Sequence, residues 1–325
     1  MNITDIDIAA SPAFYPHTFD PEGDRVMLVK MSLADYRLSS FLDTRMLAPG
    51  MTAAWFDYAP VAVSAGLIKP RPLHMIFHTG HVGSTLLSRL LDEVPGVFGL
   101  REPHPLQTLA DMADAGPGDE SYLARLGTFL RLWSRGFETT NIVALKATSV
   151  ACRIAPDLLA ASPGTRAVYL HLPAEAYITA ILAAASGQAD LRIFEALRHR
   201  RLSAKFAREV PAGGSAGELA AIAWMVECDS LKRAMAAGGS RVMSLDFETL
   251  LADLEGNLAR VLRHFDLPPV ADRLVKSPAL TRYSKAPEQL AFSPEIRAQL
   301  MRRSRDMHAE EIEKGLALIE SLQQG

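Results

Sequence analysis

Cysteine is scarce in this chain, charge is nearly balanced, and long apolar runs are missing. Cys152 and Cys228 are the two cysteines, lie far apart and form no C-x-x-C pair, so we expect free thiols in a reducing cytoplasm. The formal net charge of −3 gives no general attraction to nucleic acid or to an anionic membrane. No apolar segment reaches the ~18 residues of a membrane-spanning helix, and the acidic N-terminal stretch is not typical of a secretory signal. These absences predict a cytoplasmic protein without nucleic-acid or membrane partners, and they leave its oligomeric state open.

The chain is long and apolar enough to bury a sizeable core. Its 325 residues are 49% hydrophobic and 22% charged, which is typical of a globular protein. We expect residues 1–72 to form an N-terminal extension packed on the core. Residues 73–268 then form the main α/β domain, and residues 269–325 complete that domain with a loop and an amphipathic helix from residue 294 onward.

The most informative stretch is residues 73–92, LHMIFHTGHVGSTLLSRLLD. An apolar run predicts a buried strand, glycines then break the pattern, and leucines resume it at helical spacing. A strand, a glycine loop and a helix turn backbone N–H groups towards an anion. Gly80 and Gly83 allow close backbone approach, while the hydroxyls of Ser84 and Thr85 add donors from the first helical turn. The stretch therefore predicts a phosphate-binding loop.

The loop departs from the Walker A pattern G-x-x-x-x-G-K-[ST]. Ser84 stands where the lysine belongs, and His78 stands where the first glycine belongs. Without that lysine, a β/γ-phosphate with magnesium loses its main cationic side chain. The alternative interpretation is an ordinary strand-to-helix turn with no ligand.

Short apolar strands alternate with helices after this loop. Further strands are predicted at residues 97–100, 141–145, 166–170 and 241–245. This alternation predicts a three-layer α/β sandwich with a central parallel sheet, as in P-loop NTPases. Ligands of such sheets bind at the carboxyl ends of the strands, so polar residues at those ends should share one region. They are His78, His81, Arg101, Glu102, Lys146 and His171.

Four segments match the motifs of one protein family in the same order along the chain. They are GHVGSTLLSRLL at residues 80–91, VALKATS at 143–149, YLHLPAEAYITAIL at 169–182 and RVMSLDFETLLADLEGNLARVLRHFDLP at 241–268. These segments resemble the sulfotransferases that use 3′-phosphoadenosine 5′-phosphosulfate (PAPS). The second segment resembles the branch that contains the tyrosylprotein sulfotransferases.

The resemblance implies roles for individual residues of the site. Glu102 would be the general base, and Lys146 and His81 would stabilise charge on the transferred sulfate. His171 and Thr179 stand where the family has the arginine and serine of its 3′-phosphate segment. The 5′-phosphosulfate would be bound by Thr79, Gly80, His81, Val82, Gly83, Ser84 and Thr85.

Both basic positions of the family motifs hold histidine in this chain. Imidazole is only partly charged at neutral pH and cannot copy the bidentate contact of arginine with phosphate. Arg282 and Lys285, in a loop near the C-terminus, could replace these charges. Such a loop often lies over the nucleotide in the family.

The expected activity is transfer of a sulfuryl group from PAPS to a hydroxyl or amine of a small-molecule or peptide acceptor. No metal is expected, because no histidine pair has the H-x-x-x-H spacing with a glutamate between its members. Two alternatives stay open. One is a phosphotransferase or another nucleotide-using P-loop enzyme, and the other is a noncatalytic nucleotide-binding protein.

Overall fold

A five-stranded parallel sheet forms the centre of the chain, with strand order β5-β6-β4-β7-β8. The computed structural model describes residues 8–9, 11–116, 118–207, 210, 213–282 and 293–324. Every neighbouring pair in this sheet is parallel, and Ile76 of the middle strand is opposite Lys146 and Val168 on its two sides. The five strands are β4 (Leu73–His78), β5 (Val97–Arg101), β6 (Ile142–Lys146), β7 (Ala167–His171) and β8 (Val242–Asp246).

Side chains of the middle strand alternate between two hydrophobic clusters. Met75 and Phe77 belong to one cluster and Ile76 belongs to the other, as the two-residue period of a strand requires. The sheet is therefore covered on both faces, which explains why its strands are nearly continuous apolar runs. The predicted three-layer α/β fold with a parallel central sheet is confirmed.

Helices cover both faces of this sheet. The first cluster contains residues of α4 to α6, and the second contains residues of α3, α7, α12 and α15. Within the described ranges, no helix is long and apolar enough to cross a membrane. The helices are α1 (Leu33–Leu38), α2 (Tyr58–Gly66), α3 (Ser84–Asp92), α4 (Pro105–Ala115), α5 (Glu120–Trp133), α6 (Ala155–Ala161), α7 (Ala174–Leu182), α8 (Ala185–Ile193), α9 (Glu195–Phe206), α10 (Ala216–Gly238), α11 (Phe247–Ala252), α12 (Leu254–His264), α13 (Ala271–Leu274), α14 (Pro294–Met307) and α15 (Ala309–Gln324).

The N-terminal extension contains a small antiparallel sheet that the sequence pattern only partly predicts. Its order is β1 (Phe14–Asp20), β2 (Arg25–Lys30) and β3 (Ala53–Asp57), and only the middle strand has a clear apolar run. β1 contains Pro16 next to a register shift, and β3 alternates exposed and half-buried residues. Tyr15, Phe19 and Val26 join the same cluster as Phe98, so the extension packs on one face of the central sheet.

The C-terminal segment forms two helices, whereas the apolar pattern predicted one. α14 ends at Met307 and α15 begins at Ala309. α14 packs on α7, where the Ser304 hydroxyl donates to the Thr179 carbonyl oxygen at 2.8 Å. α15 crosses α10 closely because Gly217 and Gly315 leave no side chain at the crossing. The helical conformation ends at His308, with φ of −119° and ψ of 22°, and α15 then packs on both α7 and α10.

Candidate active site

The strand order places a crevice between the carboxyl ends of β4 and β6. After β4 the chain continues into α3, whose Leu87 joins the same cluster as Ile76. After β6 it continues through a 3-10 helix, Ser149–Ile154, and α6, whose Leu158 joins the opposite cluster. When the connections after two neighbouring strands run to opposite faces of the sheet, a crevice forms between the strand ends. Ligands of α/β proteins bind in this crevice.

The glycine loop between β4 and α3 borders this crevice. Gly80, His81 and Gly83 all have positive φ, at +89°, +54° and +71°. A Cβ on Gly83 would overlap the ring of Phe247, which follows β8, so both the dihedral and the packing require glycine there. Val82 is fully buried in the hydrophobic core. The loop is therefore a tight turn whose backbone packs directly against Phe247.

His78 holds the loop against the neighbouring strand. Its Nδ1 accepts the Gly80 N–H at 3.1 Å, so its Nε2 carries the proton and donates to the Ala147 carbonyl oxygen at 2.8 Å. The Thr79 N–H donates to the Leu170 oxygen at 3.0 Å on the other side. The loop is therefore fixed to both strands that flank β4.

The first turn of α3 supplies backbone donors at the crevice. The first bond of this helix is donated by the Leu87 N–H to the Gly83 oxygen at 3.2 Å. The N–H groups of Ser84, Thr85 and Leu86 precede it and, as in any first helical turn, have no intrahelical acceptor. These N–H groups form the positive end of the helix dipole, where an anion is stabilised. The predicted loop residues thus place backbone donors where an anion would be stabilised.

Lys146 and Glu102 meet across the ends of β6 and β5. The Lys146 ammonium forms an ion pair with the Glu102 carboxylate, and the lysine side chain is only 1% exposed. The Glu102 N–H donates to the Lys146 oxygen at 2.7 Å while Glu102 itself has a left-handed backbone, with φ of +54°. Strained dihedrals in non-glycine residues concentrate at functional sites. The pair places a carboxylate and an ammonium at the crevice edge, as the sequence predicts.

The N-terminal extension adds residues to this pair that the sequence analysis missed. Arg45 Nη2 lies 3.5 Å from Glu102 Oε2, and the same arginine pairs with Asp43. The Arg45 guanidinium lies 3.5 Å from the centre of the Phe41 ring, and the Lys146 ammonium lies 5.5 Å from it. Residues 41–45 therefore form a wall beside Glu102. No motif marks them, because their role arises only when the extension folds against β5.

The predicted 3′-phosphate residues are placed less favourably than the loop. His171 ends β7 opposite Asp246, and partial burial lowers its pKa while the aspartate opposes that shift. Thr179 is fully buried, and its hydroxyl donates to the Glu175 oxygen of its own helix at 2.7 Å. Arg282 is exposed after a short 3-10 helix, and Lys285 lies outside the described residues. The structure does not present the Thr179 hydroxyl to a ligand.

Arg101 ends β5 but its side chain leaves the crevice. It is buried, pairs with Asp92 and donates to the carbonyl oxygens of Tyr36 and Ser39. The prediction that Arg101 joins the polar group at the strand ends is therefore wrong. The two-residue period of a strand sends neighbouring side chains to opposite faces, and Arg101 lies on the same face as Gly99, whose N–H also bonds to Asp92.

Histidine, cysteine and acidic side chains do not group in threes suited to a metal ion anywhere in the described ranges. Lys146, Glu102 and Arg45 contact one another, and the strand pairing places them at the same edge of the sheet as the loop donors. An arrangement of N–H donors and cations beside a carboxylate can bind an anionic group and remove a proton from a neighbouring hydroxyl or amine.

Comparisons with known proteins found no matching family model and no matching curated protein. Solved structures similar to this chain include the sulfotransferase domain from the curacin biosynthetic pathway, at 12% identity and a TM-score of 0.42, covering 74% of this chain and 98% of that one. A sulfotransferase from Alicyclobacillus acidocaldarius is 16% identical, with a TM-score of 0.38, and covers 77% of this chain and 96% of that one.

Sulfotransferase STF9 from Mycobacterium avium is 12% identical, with a TM-score of 0.39. The match covers 75% of this chain and 79% of the STF9 chain. All three are sulfotransferases, the family that the sequence motifs resemble. The tyrosylprotein branch stays a prediction. At such low identities and TM-scores, the case for a function rests on the residues of the crevice itself.

Proposed function

We propose that the protein is a sulfotransferase that moves a sulfuryl group from PAPS to a hydroxyl or amine of a small-molecule or peptide acceptor. The observation that carries this proposal is the ion pair of buried Lys146 with Glu102, at the end of the strand that neighbours β4, the strand that leads into the glycine loop and α3. An anion-binding loop alone would suit many ligands. A buried cation and a carboxylate next to it suit a reaction in which negative charge develops while a proton leaves.

The loop residues fit the 5′-phosphosulfate end of this donor. The N–H groups that open α3, together with the hydroxyls of Ser84 and Thr85, would hold its phosphate and sulfate oxygens. His81 is the basic side chain of the loop, and its backbone is left-handed. The donor supplies the activated sulfuryl group. The residues of this chain would bind the donor, orient it and accept the proton of the acceptor.

Glu102 would take the proton of the acceptor as its oxygen or nitrogen attacks sulfur. A new bond then forms from the acceptor to sulfur while the bond from sulfur to the bridging phosphate oxygen breaks. Lys146 and His81 would stabilise the charge that appears on the leaving oxygen and on the sulfate. Arg45 would orient the Glu102 carboxylate when Lys146 turns from it towards the donor.

The two alternatives make different demands on these residues. A phosphotransferase using a nucleoside triphosphate and magnesium would lack the loop lysine that usually contacts the β- and γ-phosphates, because Ser84 occupies that position. A noncatalytic binding protein would have no use for a strained glutamate paired with a buried lysine. Both observations favour sulfuryl transfer.

The direct test is formation of 3′-phosphoadenosine 5′-phosphate (PAP) from PAPS in the presence of a panel of hydroxyl and amine acceptors. We expect acceptor-dependent PAP formation, and we expect Glu102→Gln to lower it by about 10²–10⁴-fold because the general base is lost. PAP affinity should change little in this variant. Turnover of ATP or GTP in place of PAPS, or a Glu102→Gln variant with normal turnover, would overturn the proposal.

A further inference from the structure

Two helices away from the crevice, α2 and α5, expose apolar side chains to solvent. Val63 of α2 and Leu67, just after it, are 62% and 63% exposed, and Leu123 of α5 is 44% exposed. A single exposed apolar residue is ordinary, whereas several on adjoining surfaces mark a site of interaction. Further exposed residues on α2 are Ala59, Pro60 and Gly66, so this helix presents no charge on its outer face.

The exposed sides of α2 and α5 belong to one surface. The helices pack against each other, and the Tyr58 hydroxyl oxygen of α2 lies 2.9 Å from Thr128 Oγ1 of α5. Their buried sides join the same hydrophobic cluster, through Val61 in α2 and Leu126 in α5. Neighbouring helices that bury one side in the same cluster turn their other sides to the same solvent. We call this surface the α2/α5 face and define it by Val63, Leu67, Leu123, Ala124 and Gly127.

The α5 part of this face is a stripe with opposite charges at its two ends. Its residues are Glu120, Leu123, Ala124, Gly127 and Arg131. Their spacing of i, i+3, i+4, i+7 and i+11 places them on one side of the helix, with the two charges about three turns apart. Within the described ranges, neither charged side chain forms a hydrogen bond or an ion pair. The stripe therefore carries one unused carboxylate and one unused guanidinium.

This stripe is complementary to an antiparallel copy of itself. A two-fold axis that crosses α5 midway between the two charges places Glu120 opposite Arg131 of the second copy, and Arg131 opposite Glu120. The same axis places Ala124 opposite Gly127, with the leucine beside them. A Cβ on Gly127 would have nothing within 4 Å in the described chain, so two small residues leave room for close approach of the helices. Glycine within a helix is unfavourable relative to alanine, and no contact inside this chain requires it here.

We propose that the α2/α5 face binds a second copy of this chain, with α5 antiparallel to α5. Two Glu120–Arg131 ion pairs then lie on either side of an apolar centre formed by Leu123, Ala124 and Gly127. Val63 and Leu67 widen that centre on the neighbouring helix. The inference goes beyond the proposed function and does not depend on it, because α2 and α5 contribute none of the residues assigned to the crevice.

Sedimentation equilibrium of the full chain measures the dissociation constant of the dimer. We expect the wild type to form a concentration-dependent dimer. Glu120→Lys and Arg131→Glu should each weaken it by about tenfold or more, because each places like charges opposite one another at both symmetric contacts. The double variant Glu120→Lys, Arg131→Glu should regain the affinity of the wild type. Both native charges suit the dipole of their own helix and the exchange opposes it, so recovery identifies the contact between copies.

Matched controls lie on α8. Leu123→Asp should abolish the dimer at concentrations at which the wild type is dimeric, whereas Ile193→Asp, at a position that is 71% exposed, should keep it. Arg192→Glu is the control for Arg131→Glu, because both arginines are exposed and lie in the last turn of a helix.

Three results would each overturn the proposal. The first is a wild type that stays monomeric at every concentration, which would leave the α2/α5 face to a different partner. The second is a dimer whose dissociation constant is the same in Arg131→Glu and in Arg192→Glu. The third is a double variant that dimerises as weakly as the single charge variants.

Discussion

The two edges of the central sheet both carry basic side chains, but those side chains are used differently. At the amino edge, Arg166 and Arg241 line a cavity of about 550 Å³ and donate to carbonyl oxygens, Arg166 to that of His264 at 2.8 Å and Arg241 to that of Leu159 at 3.1 Å. Arg166 also pairs with the exposed carboxylate of Asp266 at 2.8 Å. At the carboxyl edge, Lys146 meets the Glu102 side chain instead.

The difference in partners distinguishes the arginines of the amino edge, which hold the fold together, from Lys146, which we assign to the site. A carbonyl oxygen is fixed in the backbone, so these bonds of Arg166 and Arg241 join helix and loop ends. A carboxylate can exchange partners, so Lys146 can turn to a ligand while Glu102 keeps Arg45. The cavity of about 550 Å³ is therefore a weaker candidate for the site, because Arg166 and Arg241 already donate to the backbone.

The largest effect is expected from Lys146→Met, which keeps the apolar stem and removes the charge. Turnover should fall on the order of 10²–10³-fold, as with loss of other preorganised charge stabilisers. PAP formation under saturating acceptor is the measurement, and Lys30→Met, at the exposed end of β2, serves as the control. Normal turnover in Lys146→Met would remove the distinction between the two edges.

Gly83→Ala should be the next most damaging change. The new methyl group would combine a left-handed backbone with overlap of Phe247, and we expect a loss of about 3 kcal/mol in the free energy of unfolding. Urea denaturation measures it. Gly50→Ala is the matched control, since Gly50 has a similar φ of +89° but nothing within 4 Å of its Cβ position, so its cost should be only about 1 kcal/mol. Equal costs at the two positions would show that Phe247 does not constrain the loop.

Arg241→Ala tests the amino edge. Its guanidinium donates to three carbonyl oxygens, those of Leu159, Ser162 and Thr165. We expect about 2 kcal/mol lower stability from these charged hydrogen bonds and no change in PAP affinity. A variant that is stable but binds PAP poorly would place the amino edge in the site.

The smallest effect concerns pH and His74, at the start of β4. Burial is the main cause that lowers the pKa of His74 to about 4, and its Nδ1 accepts the Arg166 N–H at 3.2 Å. The unfolded chain binds this proton near pH 6.5 and the folded chain does not, so stability is complete above 6.5 and falls as the pH falls towards 4. Between pH 7.5 and 5.5 we expect His74 to account for a loss of about 1 kcal/mol.

His74→Asn keeps an acceptor for the Arg166 N–H but does not titrate. Urea denaturation at both pH values should therefore show a shallower pH dependence in this variant than in the wild type. Parallel curves for the two proteins would show that His74 stays uncharged, or stays equally charged, in both states.

Residue patterns predicted the central sheet well because its strands are buried on both faces. Leu73–His78 is apolar along most of its length, and the glycines after it have dihedrals that only glycine adopts easily. The ends of β5 and β6 then brought Glu102 and Lys146 together, since neighbouring parallel strands end at one edge.

The residue pattern did not reveal the hydrogen-bond and ion-pair partners of individual side chains. Arg45 reaches Glu102 only because the N-terminal extension folds over β5, and Thr179 loses its hydroxyl to its own helix. Arg101 turns away from the site towards Asp92. The partner that a side chain meets at a strand end depends on such contacts, which the residue pattern does not specify.

The most direct test of the account is titration calorimetry of the purified protein with PAP, beside ATP and GTP with magnesium. Binding of PAP that is at least tenfold tighter than that of either triphosphate, and weaker in a Ser84→Ala, Thr85→Ala double variant, is the predicted result. Tighter binding of a triphosphate, or PAP binding that is unaffected by the double variant, would contradict the claim that the glycine loop at the carboxyl edge binds a phosphosulfate donor.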